Sequence, residues 1–176
     1  IVGEDLRVEG NVRVDGNADI GADVRVGWGL EVLSALRRGG ELRAGWDLRC
    51  GARLELGGNA VVGQDLHCAD ELRCFKGLQL GGDLCAENSV RVDQGIVAGG
   101  SVSSALHLEV GWGIRAGGAI CAQGSIRAGE SLEAGEAICA GEGYGVFAGL
   151  DVQTEAWEAC ARVSAPERPA GLMSGW

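Results

Sequence analysis

Seven cysteines and two histidines are the residues of this chain whose types could bind a soft metal or act in nucleophilic catalysis. Cys121 and Cys139 are eighteen residues apart, as are Cys50 and Cys68, but no two cysteines form the C-x-x-C pair of many zinc sites. Thiols stacked in a column suit soft metals, yet a column is a line on which four ligands do not converge. The sequence therefore predicts no metal site and no cofactor.

A catalytic pair is not expected either. Ser103 and His107 are close in the sequence, but strand alternation and a corner between them oppose a productive hydrogen bond. No glycine-rich phosphate loop connects a strand to a helix, and no inserted loop interrupts the repeat described below to form a cleft. We therefore expect a protein that is not an enzyme.

A strict period of six residues organises the chain around these side chains. From Ile1, twenty-five consecutive hexads run to Leu150 without an insertion. Position six is apolar or aromatic in every hexad, and position two is Val, Ile, Leu, Ala or Cys in all but two, the exceptions being Arg38 and Ser104. This alternation predicts a short strand with positions six and two facing inward. Three-residue strands are stable only when stacked, so the hexads predict a β-solenoid.

Identities at longer spacing give the length of one coil. Seven glycines follow one another at intervals of eighteen residues, and Trp28 and Trp46 are separated by the same interval. Those glycines are Gly27, Gly45, Gly63, Gly81, Gly99, Gly117 and Gly135. Three hexads per turn predict an all-β, single-domain triangular solenoid of about eight turns. In strands such as "IRA", "ICA" and "LEA", the first inward residue is large and the second, two positions later, is small. This order favours a right-handed coil.

The hexads divide the chain into two segments. Residues 1–150 are predicted to form the solenoid, and residues 151–176 are predicted to cap its last coil, with Trp157 as the plug. Arg38 is a charge at an inward position. Either the chain bulges there and turns Arg38 outward, or the side chain caps a buried acceptor, and we expect the bulge.

The formal charge of −10 opposes binding to nucleic acid or to anionic membranes. Seven scattered cysteines suit a reducing cytoplasm better than a secreted disulfide framework. Outward carboxylates at Asp47, Asp65 and Asp83 form a predicted column that could meet a basic protein. One hypothesis is therefore an acidic binding or inhibitory module, of the kind that mimics DNA or neutralises a toxin.

The favoured hypothesis is a structural scaffold that associates with itself. The first coil carries the repeat with no polar lid, which would open Leu6, Val8, Val12 and Val14 to pairing with another molecule. We expect a dimer through the N-terminal coils, or a longer polymer. The stacked Trp28 and Trp46 form a second candidate contact surface.

The phrases "GEDLRVEGNVRVDGN" and "GSIRAGESLEAGEAI" resemble the repeats of bactofilins, bacterial cytoskeletal β-helices that form polymers. The resemblance extends over the whole repeat region and implies a β-helix that assembles into filaments. The C-terminal segment, with Trp157 and two prolines, differs from the short disordered tails of that family.

Overall fold

The computed structural model describes residues 5–176 and is built from three parallel sheets whose short strands alternate along the chain. The first sheet contains β1 (Leu6–Val8), β4 (Val24–Val26), β7 (Leu42–Ala44), β10 (Ala60–Val62), β13 (Leu78–Leu80), β16 (Ile96–Ala98), β19 (Ile114–Ala116), β22 (Leu132–Ala134) and β25 (Val163–Ser164). The second contains β2 (Val12–Val14), β5 (Leu30–Val32), β8 (Leu48–Cys50), β11 (Leu66–Cys68), β14 (Leu84–Ala86), β17 (Val102–Ser104), β20 (Ile120–Ala122) and β23 (Ile138–Cys139). The third contains β3 (Ala18–Ile20), β6 (Leu36–Arg38), β9 (Leu54–Leu56), β12 (Leu72–Cys74), β15 (Val90–Val92), β18 (Leu108–Val110), β21 (Ile126–Ala128), β24 (Val146–Phe147) and β26 (Leu172–Ser174).

From β1 to β20, each strand pairs with the strand eighteen residues later, so three strands and three corners make one coil. Leu84, for example, lies in register between Leu66 and Val102. The protein is therefore a β-solenoid of about eight coils, as the repeat predicts. We call the corners first, second and third, according to whether they follow a strand of the first, second or third sheet. The first four residues of the first hexad lie outside the described residues.

The core is a single apolar column inside the prism. Positions six and two of the hexads point inward and the residue between them points outward, as in β14, where Leu84 and Ala86 are buried and Cys85 is exposed. Because both flanking coils cover every middle coil, Leu84 is 0% exposed. The inward assignment of position six fails near the end of the repeat, where Tyr144 and Leu150 are 51% and 45% exposed.

The column of seven glycines lies at the first corner, where successive coils approach most closely. A Cβ atom on Gly45 would collide with the carbonyl oxygen of Gly27, and one on Gly63 would collide with that of Gly45. The same contact recurs between the later members of the column. The glycines are therefore required by close approach of backbone to backbone.

Arg38 does not turn outward, so the expected bulge is wrong. It lies in regular register at the end of β6, and its side chain is 0% exposed. Its Nε and Nη2 atoms donate to the carbonyl oxygen of Ala22, at 3.3 and 3.1 Å, while Asp23 Oδ1 lies 3.9 Å from Nη2. Burial lowers the pKa of Arg38 to about 10, partly offset by Asp23 and Glu41. The guanidinium caps a buried acceptor, which was the alternative that the sequence left open.

The chain after the last regular hexad contributes strands of its own. A 3-10 turn (Thr154–Ala156) and the four-residue helix α1 (Trp157–Cys160) lead into β25 and β26, which extend the first and third sheets. Trp157 is half-buried, whereas Ala161 and Pro169 are buried. In residues 5–176 no helix is long and apolar enough to cross a bilayer.

We predict that Gly81→Ala destabilises the solenoid, because its Cβ would meet the carbonyl oxygen of Gly63 and force two coils apart. The expected loss is about 1–3 kcal/mol of unfolding free energy, measured by urea denaturation. Gly77→Ala is the matched control, since a Cβ there makes only ordinary contacts at 3.4 Å or more. Equal stability of the two variants would contradict the close approach of the coils.

Candidate interaction surfaces

Side chains at position five of the hexads form hydrogen-bonded ladders along all three corners. In each rung, a side-chain oxygen or a histidine nitrogen accepts the backbone N–H of the residue eighteen positions later, at 2.6–3.5 Å. The eleven rungs are Asp5–Asp23, Asn11–Gly29, Asn17–Ala35, Asp23–Glu41, Asp47–Asp65, Asn59–Gly77, Asp65–Asp83, Asp83–Ser101, Ser89–His107, Ser101–Ala119 and His107–Ser125. These residues satisfy corner amides that no strand ladder reaches.

The predicted acidic column at Asp47, Asp65 and Asp83 belongs to one of these ladders. Asp65 N–H donates to Asp47 Oδ1 at 3.3 Å, and Asp83 N–H donates to Asp65 Oδ1 at 2.8 Å. Asp65 and Asp83 are exposed, whereas Asp47 is half-buried and lies 3.8 Å from Arg49. One oxygen of each carboxylate therefore accepts a corner amide, and the second oxygen of Asp47 faces Arg49. The second oxygens of Asp65 and Asp83 are the atoms left to face a partner.

Charged side chains on the outer faces pair along the columns. Arg37 lies 3.1 Å from Glu55, and Arg115 lies 2.8 Å from Glu133, with partners eighteen residues apart in both cases. The arginines of these pairs are mostly exposed, so each pair contributes about 0.2–1 kcal/mol. The outer charges thus compensate one another over much of these faces.

Trp28 and Trp46 stack at the first corner, as their spacing predicts. Their ring centroids are 5.5 Å apart, and the ring planes differ by 11°. Each indole remains about half exposed, at 50% and 52%. The corner positions one coil below and one coil above are Gly10 and Gln64, so the aromatic column is two residues long. The pair is an exposed aromatic surface that begins one coil above the first coil, where Trp28 N–H donates to Gly10 O.

The inward residues at position two include five polar side chains with a shared role. Each donates to the carbonyl of the corner residue sixteen positions earlier. Within residues 5–176, these donors lie in strands of the second and third sheets. The five pairs are Arg38–Ala22, Cys50–Ser34, Cys68–Ala52, Cys74–Gly58 and Ser104–Asn88. At the first corner, the equivalent carbonyls instead accept a backbone N–H from the next coil, as in Trp46 N–H to Trp28 O at 3.1 Å.

The buried cysteines are therefore donors as well as apolar groups. Cys68 Sγ lies 3.2 Å from Ala52 O, and Cys74 Sγ lies 3.5 Å from Gly58 O. Burial raises the pKa of the Cys74 thiol, which keeps its proton available for this weak hydrogen bond. Ser104 performs the same role with a shorter bond of 2.8 Å to Asn88 O.

The outward column of the second sheet contains His67, Cys85, Ser103, Cys121 and Cys139. Ser103 donates to Leu84 O at 3.0 Å, while His107 Nδ1 accepts the N–H of Ser125 at 3.1 Å. Ser103 and His107 thus have separate partners. His67 Nε2 lies 3.7 Å from Glu87 Oε1.

The first described coil has neighbours on one side only. Leu6, Val8, Val12 and Val14 are half-buried, in contrast to the buried residues that pair with them. Leu6 N–H donates to Asp23 O and Val8 O accepts Gly27 N–H, so the backbone groups of these two residues are used by the second coil.

The middle residue of each first-coil strand has the opposite orientation. Since alternate residues of a parallel strand direct their backbone groups to opposite sides, Arg7 presents its N–H and C=O to the outer edge. The same pattern gives this position to Arg13 in β2 and to Asp19 in β3.

An apolar surface on the first sheet was missed by the sequence analysis. Val97 is 47% exposed and Trp112 is 53% exposed, and both line one groove with Val61 and Gln79. The sequence could have indicated this surface, because Val61 and Val97 occupy an outward column that begins with three arginines.

Comparison with protein-family models, with curated proteins and with solved structures finds no match for the chain.

We predict that Asp65→Ala destabilises the solenoid by about 0.5–1.5 kcal/mol, because Asp83 N–H loses its acceptor. Asp65→Asn is the matched control: its amide oxygen keeps the bond while the charge is removed. Urea denaturation of both variants measures the difference. If Asn is as destabilising as Ala, the ladder is not the reason for this carboxylate.

We predict that Ser104→Ala lowers the free energy of unfolding by about 1–3 kcal/mol, because the carbonyl of Asn88 loses its buried donor. Ser104→Cys should retain most of the stability, since Cys68 makes the equivalent bond in the same sheet. Thermal unfolding followed by circular dichroism compares the two. A stable Ala variant beside an unstable Cys variant would mean that side-chain volume, rather than hydrogen bonding, governs this position.

Proposed function

We propose that this chain is a non-enzymatic structural scaffold that associates with itself through its first coil. The observation that carries the proposal is a difference in burial between equivalent residues. Leu6 and Val12 are half-buried, whereas Val24 and Leu30, their partners in the second coil, are 0% and 3% exposed. A coil placed against β1 and β2 would bury this apolar surface, and burial of apolar surface favours association.

The backbone of the first coil supports the same proposal. Arg7, Arg13 and Asp19 direct hydrogen-bonding groups to the edge, and unpaired strand edges are templates for pairing with another chain. A second copy of this chain has the matching edge on all three sides of the prism.

The opposite end of the solenoid is less open. Val163 N–H donates to Trp176 O, and Trp176 N–H donates to Ala161 O, so the C-terminal residues fold against β25. Proline at positions 166 and 169 lies between β25 and β26, where it interrupts any continuous strand. A molecule with one pairing end forms a closed two-fold dimer rather than an endless filament.

Several features favour a structural role over catalysis. The serine and histidine that could form a nucleophilic pair have separate partners, and the aspartates at the corners hold backbone amides. The charge of −10 opposes nucleic-acid and anionic-membrane partners. The seven cysteines are free thiols, which suits a cytoplasmic location.

The test is the mass of the 176-residue chain, measured by size exclusion with light scattering across protein and salt concentrations. We expect the mass to double as concentration rises. The double variant Arg7→Pro/Arg13→Pro should remain monomeric, because proline removes both edge donors while leaving the bonds to the second coil intact.

The control is Arg7→Ala/Arg13→Ala, which removes the same side chains and keeps the backbone donors, and should still dimerise. Circular dichroism must report the same fold for all variants. A strictly monomeric unmodified chain would refute the scaffold and favour the acidic module, in which the exposed Asp65 and Asp83 would meet a basic protein.

A further inference from the structure

Two accessible thiols occupy neighbouring rungs on the outer face of the second sheet. Cys121 in β20 pairs in register with Cys139 in β23, and both side chains point away from the core. Cys121 is half-buried and Cys139 is exposed. Cys85 lies on the same face but is separated from Cys121 by Ser103. The face therefore holds one adjacent pair of thiols and one isolated thiol.

The register of the two strands determines what this pair can hold. In-register side chains on parallel strands leave the backbone in the same direction, so their Cβ atoms are separated by the strand spacing of about 4.8 Å. A disulfide needs Cβ atoms about 3.5–4.5 Å apart. Two metal–sulfur bonds of about 2.3 Å in a line span about 4.6 Å. The spacing thus suits a bridging metal better than a disulfide.

The donor set selects the kind of metal. Within residues 5–176, no group of three or more His, Cys, Asp or Glu side chains converges to hold one ion, so a four-ligand zinc or an oxygen-coordinated site is not formed. Two thiolates in a line suit a soft monovalent ion with a filled d shell. We propose that Cys121 and Cys139 bind one Cu(I) ion between their sulfur atoms.

The neighbouring side chains leave room for such an ion. Ala105, Ala122 and Gln123 line the same groove as the two thiols, and two of these three residues are alanines. On binding, both thiols release their protons to solvent and no electron is transferred. The resulting two thiolates and one Cu(I) carry a net charge of −1.

The chain contains an internal control for this geometry. Cys50 and Cys68 are also in register on neighbouring strands of the second sheet, but both are buried, at 1% and 0% exposure. Their thiols bond to the carbonyls of Ser34 and Ala52. Cys50 and Cys68 have the same spacing as the outer pair but are closed to solvent, so we expect them to bind no Cu(I). Only Cys121 and Cys139 are expected to bind the ion.

The experiment titrates the reduced chain with Cu(I) without oxygen, against the chromophoric chelator bicinchoninate, and counts bound ions by native mass spectrometry. We expect about one ion per chain. Cys121→Ser and Cys139→Ser should each abolish this binding, whereas Cys85→Ser and Cys160→Ser should retain it. Circular dichroism of each variant verifies that the solenoid is folded.

The second part of the experiment adds a thiol and measures whether the chain binds more Cu(I). Ser103→Cys would fill the gap between Cys85 and Cys121 and give four thiols on consecutive rungs. This variant should bind about two ions per chain, because each adjacent pair of thiols holds one. Unchanged binding in folded Cys121→Ser or Cys139→Ser, or no additional ion in folded Ser103→Cys, would overturn the proposal. So would a chain that binds no Cu(I) against the chelator.

Discussion

The structure depends on one constraint: each corner of a coil must have its backbone polar groups satisfied by the coil eighteen residues away. The strands meet this requirement through regular parallel pairing, but a corner has no such ladder, and an unsatisfied buried group is costly. At the first corner, the coils approach closely enough for backbone N–H groups to reach the carbonyls of the previous coil, as between Trp46 and Trp28. That approach is possible only because glycine precedes them, at Gly27 and Gly45.

At the second and third corners, side chains meet the same constraint in many coils, while backbone N–H groups do so in later ones, as between Trp112 and Gln94. Inward donors such as Cys68 and Ser104 reach corner carbonyls, and Arg38 does so with a full charge. Outer acceptors such as Asp23 and Asn59 hold the amides of the next coil. Residues of types that would elsewhere indicate catalysis or metal binding therefore have an architectural role here.

This division identifies the surfaces that remain for function. The backbone edge of the first coil, the stacked pair of Trp28 and Trp46, and the outer thiols Cys121 and Cys139 are not required by the corners. Each lies where the regular repeat changes: at an end of the described rod, at a two-residue aromatic column, or on the last two strands of the second sheet. In a solenoid whose coils contact only their neighbours, such irregular positions are where association or binding least disturbs the fold.

The sequence by itself determined the coil, because a six-residue alternation and identities at eighteen residues admit only stacked short strands. It predicted the stack of Trp28 on Trp46 and the inward position of Leu84, which follow from register alone. Only the tertiary structure decided that Arg38 is buried, that Asp65 holds an amide and that Cys68 is a donor. The physical reason is that each of these roles depends on a backbone group sixteen or eighteen residues away, whose direction is set by the shape of the corner and not by the type of the residue that meets it.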